Sequence, residues 1–319
     1  MVTLKIPSHE VRGFNYHPSY STGAMEDWLL FDQEIWTREL TRGKELFPKI
    51  NTIRLWLSWN AYCRLQGEFI SRVRKAVEIC KGLGLYVIPC LFNRWHDPMV
   101  DCDGIYIDHF LPGSSWLLKF GDPFSDYIDA LAKEFGNEEN ILVWDICNEP
   151  LAYNANYFPL RDLIQPHEIN WLRTMTERLR SGVTQPIGVG STGGYSMKVF
   201  EGIFDVHLTH MYYTGGSIEE FEETVKGFVR EAEEDDCPLI CSECCWGALD
   251  HKKRVDMMKV TLDMFKKYKV GFVAHALWYS GCADLHDPCD GRVTDDIGNL
   301  AFISKDGNMR PYHEIINEY

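Results

Sequence analysis

The sequence predicts a single-domain α/β fold, a (β/α)8 TIM barrel spanning residues 1–319, and three observations lead there. Apolar strand-like runs alternate with helical patterns from one end of the chain to the other, which is the signature of repeated βαβ units. Eight runs of each kind are found. The length of 319 residues lies in the range that such a barrel fills as one unit.

The strand expectations, in order, are residues 11–18, 52–59, 86–93, 141–150, 186–193, 206–213, 238–246 and 271–280. Between them the spacing predicts helices near 34–47, 68–83, 122–136, 166–182, 217–235 and 250–268, a weaker helix at 196–201 and a terminal one at 308–318. The segment after the second strand shows the unit well. Ile70, Val73, Ala76, Val77 and Cys80 recur at three- and four-residue spacing on one helical face. Gly82 and Gly84 then stop the helix before the next strand. A doubly wound open sheet is the competing architecture, but no GxGxxG turn follows the first strand.

Composition narrows the function classes. The hydrophobic fraction of 45% supports a sizeable core. A net charge of -15, with no basic stripe, would repel nucleic acid but not a neutral partner such as a sugar. No run of about 18 apolar residues is present to span a membrane, and the amino terminus lacks a secretory h-region, so a cytoplasmic location is expected, with a removed leader left open. Eleven cysteines, an odd number, read as free thiols. The group Cys237, Cys241, Cys244 and Cys245 matches no zinc framework.

In a barrel of this kind the chemistry sits at the carboxyl ends of strands and in the loops that follow. Strand four runs into Asn148, Glu149 and Pro150, and strand seven into Glu243 and Trp246. Two carboxylates facing each other across a barrel mouth are what glycoside cleavage needs: one protonates the leaving oxygen, while the other attacks the anomeric carbon or activates water. Their separation decides the outcome, about 5 to 5.5 Å for retention and about 6.5 to 9.5 Å for inversion.

These residues resemble the clan A glycoside hydrolases, most closely the cellulase and mannanase-like family 5. The motif is the Asn148-Glu149-Pro150 triplet after an apolar strand, supported by Arg54 on strand two, His210 and Tyr212 on strand six, and Trp278 after strand eight. The resemblance implies retaining hydrolysis of β-mannan- or β-glucan-type saccharides, with Glu149 as acid/base and Glu243 as nucleophile. It implies that Asn148 holds the sugar 2-hydroxyl, that Arg54 and Tyr212 keep Glu243 ionised, that His210 supports the network and that Trp278 stacks beneath the sugar. One position departs from the pattern. Phe92 stands about where the family carries a strand-three histidine, and His96 follows nearby.

Aromatic side chains near strand ends are the candidate sugar platforms: Tyr16, His17, Trp59, Trp95, His96 and Trp246. The loop 281–305 holds Asp284, His286, Asp287, Asp290 and Asp295, but lacks the spacing of a calcium loop, so no metal is expected, and two carboxylates that supply both proton transfer and nucleophile require no cofactor. A carbohydrate is the expected partner, and the oligomeric state is left open. Two other readings stand beside the main one: a carbohydrate-binding barrel without catalysis, and a clan relative with β-galactosidase-like or arabinosidase-like specificity.

Overall fold

The computed structural model describes residues 3–94, 104–152, 158–284 and 299–319. Its eight strands are β1 (Arg12–Tyr16), β2 (Thr52–Trp56), β3 (Tyr86–Asn93), β4 (Trp144–Asn148), β5 (Ile187–Ser191), β6 (Val206–His210), β7 (Leu239–Cys244) and β8 (Gly271–Ala274). All pair in parallel and in chain order, and β1 pairs with β8 to close the barrel. Every predicted strand is present; β3 has the expected bounds, and the others are shorter where the chain turns into loops.

The helices are α1 (Ala24–Leu29), α2 (Gln33–Leu46), α3 (Trp59–Leu65), α4 (Gly67–Gly82), α5 (Ser115–Phe120), α6 (Ser125–Phe135), α7 (Arg161–Arg180), α8 (Ile218–Glu234), α9 (His251–Tyr268) and α10 (Gly281–Asp284). The long ones match the expected ring. Asp32 and Asp250 cap α2 and α9 by accepting hydrogen bonds from first-turn N–H groups. Two departures concern segments expected to be helical. The weak helix after β5 and the terminal one are 3-10 turns, Met197–Phe200 and His313–Glu318. In addition α7 begins five residues ahead of Pro166, which was read as its start. No helix among the described residues is long and apolar enough to cross a membrane, and the described cysteines are free thiols.

Two apolar layers form the core. The larger lies between strands and helices and is rich in aromatic rings. A smaller cluster of Val11, Ile88, Leu142, Val143, Val206, Leu208, Ile240 and Val273 fills the amino-terminal half of the barrel. Above it the interior turns polar, because Asn15, Arg54 and Asp145 occupy the next inward positions, all fully buried. Register shifts interrupt β4 between Asp145 and Asn148, and β7 between Cys241 and Cys244. Such irregularities re-aim side chains at a barrel rim.

The barrel floor is held close by small residues. A Cβ built on Gly271 would stand 1.9 Å from the carbonyl oxygen of Ser8, part of the short 3-10 turn before β1. Gly82, in α4, faces open space. Urea unfolding should therefore separate the two. Gly271→Ala is expected to lose about 1 to 3 kcal/mol through overpacking, whereas Gly82→Ala gains up to about 1 kcal/mol from helix propensity. Equal effects would mean that the Ser8 contact does not constrain the barrel.

Candidate active site

Strand parity decides what reaches the barrel interior, since alternate side chains point to opposite faces. On β2, Arg54 points inward and its guanidinium is completely buried. It donates to Asp145 from Nε (2.9 Å) and Nη2 (2.7 Å), to Asn15 Oδ1 (2.8 Å), to Asn148 Oδ1 (2.9 Å) and to Glu243 Oε1 (2.6 Å). Trp56, the next inward residue, lies against it at 4.8 Å and donates its indole N–H to Asn15 Oδ1 at 3.1 Å. One cation thus connects β1, β2, β4 and β7.

Glu243 receives a second donor from the Tyr212 hydroxyl, 2.8 Å from Oε2. His210 Nδ1 lies 2.7 Å from Glu149 Oε1 and 3.5 Å from Glu243 Oε2, between the two carboxylates. His275, at the end of β8, brings Nδ1 to 3.6 Å from Glu243 Oε2. Burial raises the Glu243 pKa, but His210, His275 and Arg54 outweigh it and hold the carboxyl well below the usual carboxylate range. Burial and the neighbouring Glu243 push the Tyr212 phenol well above its ordinary value, so it stays a donor. Trp246 packs edge-on against Tyr212 at 5.1 Å.

Among the described residues, the potential ligand atoms of Glu149, His210 and Glu243 lie within 4.8 Å of one another. A cation could be held there only in competition with Arg54, whose charge already faces Glu243 at 2.6 Å. The nearest carboxylate oxygens of Glu149 and Glu243 share that limit of 4.8 Å. Glu149 is the more open of the two, with 15% of its side chain exposed against 7% for Glu243.

Arg54, Asn148, Glu149, His210, Tyr212, Glu243 and Trp246 therefore meet at one end of the barrel. Three expected platforms do not join them. Tyr16 follows the inward Asn15, so parity turns it to the helix side, where its hydroxyl donates to Glu39 at 2.9 Å and its ring packs on Trp36. Trp59 is buried among Trp116, His109 and Phe124 and donates to the Pro123 carbonyl. Trp278 lines a separate cavity of about 700 Å3 bounded by Arg38, Arg42 and Gly307. His275, not Trp278, is the residue of the β8 end that faces the nucleophile candidate.

His17 is also buried, with Nδ1 2.8 Å from Asp27 Oδ2. Phe92 packs outward on Phe124, Tyr127 and Trp171, and it is the neighbouring Asn93 whose Oδ1 accepts from Asn148 Nδ2 at 3.0 Å. Trp95, His96, His286, Asp287, Asp290 and Asp295 lie outside the described residues. Asp284 is buried and engaged by Arg310 and the Ala301 N–H. The sequence reading missed Asn15, Trp56, Asn93, Asp145 and His275. Counting by twos from Arg54 and Asn148 was the available signal for Trp56 alone, since the shifts in β4 hide Asp145.

Comparison with known proteins shows what the chain is similar to. Residues 46–185 match the family model described as Cellulase (glycosyl hydrolase family 5). No curated protein sequence matches the chain. Among solved structures, the exo-beta-1,4-mannosidase Op5Man5 from Opitutaceae bacterium strain TAV5 superposes with a TM-score of 0.74 at 16% identity, covering 96% of this chain and 58% of that one. The endo-1,4-beta-D-mannanase from Thermotoga petrophila RKU-1 gives a TM-score of 0.63 at 14% identity over 95% of this chain and 99% of the other. A Bacteroides uniformis beta-glucuronidase gives 0.67 at 15% identity over 96% of this chain and 34% of its own. The chain thus spans between a third and three fifths of the mannosidase and glucuronidase chains it matches. The chain is therefore similar over residues 46–185 to the cellulase model of glycosyl hydrolase family 5, and it shares a closed eight-stranded parallel barrel with these glycosidases.

Proposed function

We propose that the protein hydrolyses β-linked mannosides or glucosides with retention of anomeric configuration, using Glu243 as nucleophile and Glu149 as acid/base. The observation that carries this reading is the spacing of the two carboxylates, whose nearest oxygens stand within 4.8 Å. A spacing this short supports retention over the wider separation of an inverting pair. The mannosidase and mannanase among the structural neighbours support the choice of sugar.

In the first step a Glu243 oxygen bonds to the anomeric carbon as the glycosidic bond breaks, and Glu149 gives its proton to the departing oxygen. In the second, Glu149 takes a proton from water, whose oxygen bonds to the anomeric carbon and releases Glu243. Arg54 and Tyr212 keep the nucleophile ionised and aimed. Asn148 uses one amide hydrogen on Asn93, leaving its second for the sugar 2-hydroxyl.

Two measurements test this. Proton NMR of the first-formed product, on a panel of aryl β-glycosides and short β-linked oligosaccharides, should show the retained anomer in wild type and no turnover in Glu243→Ala. Inverted product would reassign Glu243 as a base, and binding without turnover would favour a non-catalytic barrel. The second concerns pH. Removing a donor from an ionised carboxylate raises its pKa, so Tyr212→Phe should move the acid limb of the kcat/KM profile upward by about one unit, the equivalent of about 1.4 kcal/mol. A limb that stays in place would show that Tyr212 does not stabilise the charged nucleophile.

A further inference from the structure

The turn that carries Glu149 adopts an unusual backbone. Glu149 has φ 45° and Leu151 φ 64°, both in the left-handed region although neither is glycine. Such conformations persist only where the surroundings over-determine them. Two backbone bonds act before the turn: the Arg94 N–H donates to the Asn148 carbonyl at 2.9 Å, and the Glu149 N–H to the Gly190 carbonyl at 2.7 Å. After it, the Leu151 N–H donates at 2.9 Å to a side chain, Glu168 Oε1, which reaches across from α7.

Glu168 is itself fixed. Its side chain is fully buried and its Oε1 accepts from Arg94 Nε at 2.8 Å. Arg94, 4% exposed at the side chain, donates Nη1 to the Ile105 carbonyl at 2.6 Å and lies 5.3 Å from the Phe110 ring. The same arginine therefore grips the chain before Glu149 with its backbone and, through Glu168, the chain after it with its side chain. A buried ion pair is a poor device for stability, since well-packed apolar residues often serve as well. What apolar residues cannot do is accept the Leu151 N–H.

We propose that Arg94 and Glu168 are positioning residues for the acid/base, a buried clamp that holds the Glu149-Pro150-Leu151 turn so that the carboxyl meets the leaving oxygen. This rests on the assignment of Glu149 as the acid. Displacement of a general acid by a fraction of an ångström to an ångström costs most where the leaving group needs a proton. Dinitrophenolate departs without one, so glycosides carrying it report the nucleophile alone.

The test is kcat/KM for phenyl and 2,4-dinitrophenyl β-D-mannosides, with the matching glucosides in parallel, on wild type, Arg94→Met/Glu168→Leu, Glu168→Gln and Glu149→Ala. The apolar double variant is expected to fold, to lose about 30-fold or more on the phenyl glycoside, and less than about threefold on the dinitrophenyl one. Glu168→Ala carries the same expectation should the double variant fail to fold. Glu168→Gln keeps an acceptor for Leu151 and should retain the leaving-group dependence of wild type even if its Tm falls. Equal losses on both substrates in the double variant, or a dependence in Glu168→Gln as steep as that of the double variant, would overturn the clamp. If Glu149→Ala shows no leaving-group dependence, the acid assignment itself fails; if it does and the double variant does not, the clamp alone fails.

Discussion

A guanidinium buried in the centre of a protein has to be met by acceptors on every side, and the barrel around Arg54 is arranged to supply them. Asn15, Asp145, Asn148 and Glu243 come from three strands, β1, β4 and β7, and converge on its five N–H groups. Desolvating the charge is costly unless these bonds form together. The requirement runs in both directions. Arg54 fixes the orientation of Glu243, and the closed barrel fixes Arg54. Asp145 takes two bonds from Arg54 and one from the Gly190 N–H, so its charge balances the arginine, while Glu243 takes one bond from Arg54 at Oε1 and keeps Oε2 for Tyr212.

The two glutamates live in different surroundings as a result. Glu243 is enclosed by Arg54, Tyr212, His210 and His275, which together hold it ionised against burial. Glu149 stands on a left-handed turn at the rim, is the more exposed of the two, and touches His210 at 2.7 Å. His210 lies against both, 2.7 Å from Glu149 and 3.5 Å from Glu243. The register shifts in β4 and β7 fall beside these glutamates, where regular alternation would send some of the polar side chains into the helix layer.

The barrel was legible in the sequence because each strand had to be apolar on both faces below the rim, and each long helix had to bury one stripe. The site was legible where a motif concentrates chemistry, at Asn148-Glu149 and Glu243. It was not legible where one-residue parity matters. Tyr16 and Asn15 are neighbours, and only the pairing of β1 with β2 tells which faces inward. Trp278 and His275 are three residues apart, and the chain between them bonds back to Asn15 and Ile303; His275 stands 3.6 Å from Glu243, whereas Trp278 lines the cavity beside Arg38 and Arg42. Asp145 and Asn148 point to the same guanidinium despite their odd spacing, because the strand is shifted between them. Long-range pairing set each of these outcomes, and no local pattern encodes it.

The central claim is that Glu243 forms a covalent bond to the sugar. Incubation with the 2,4-dinitrophenyl 2-deoxy-2-fluoro-β-D-mannoside and -glucoside, followed by peptide mass spectrometry, tests it directly, because the fluorine slows release of the intermediate more than its formation. The account predicts one fluoroglycosyl group per chain, attached to the peptide at Glu243. An adduct at another residue, or an unmodified Glu243 in an enzyme that turns over the parent glycoside, would contradict it.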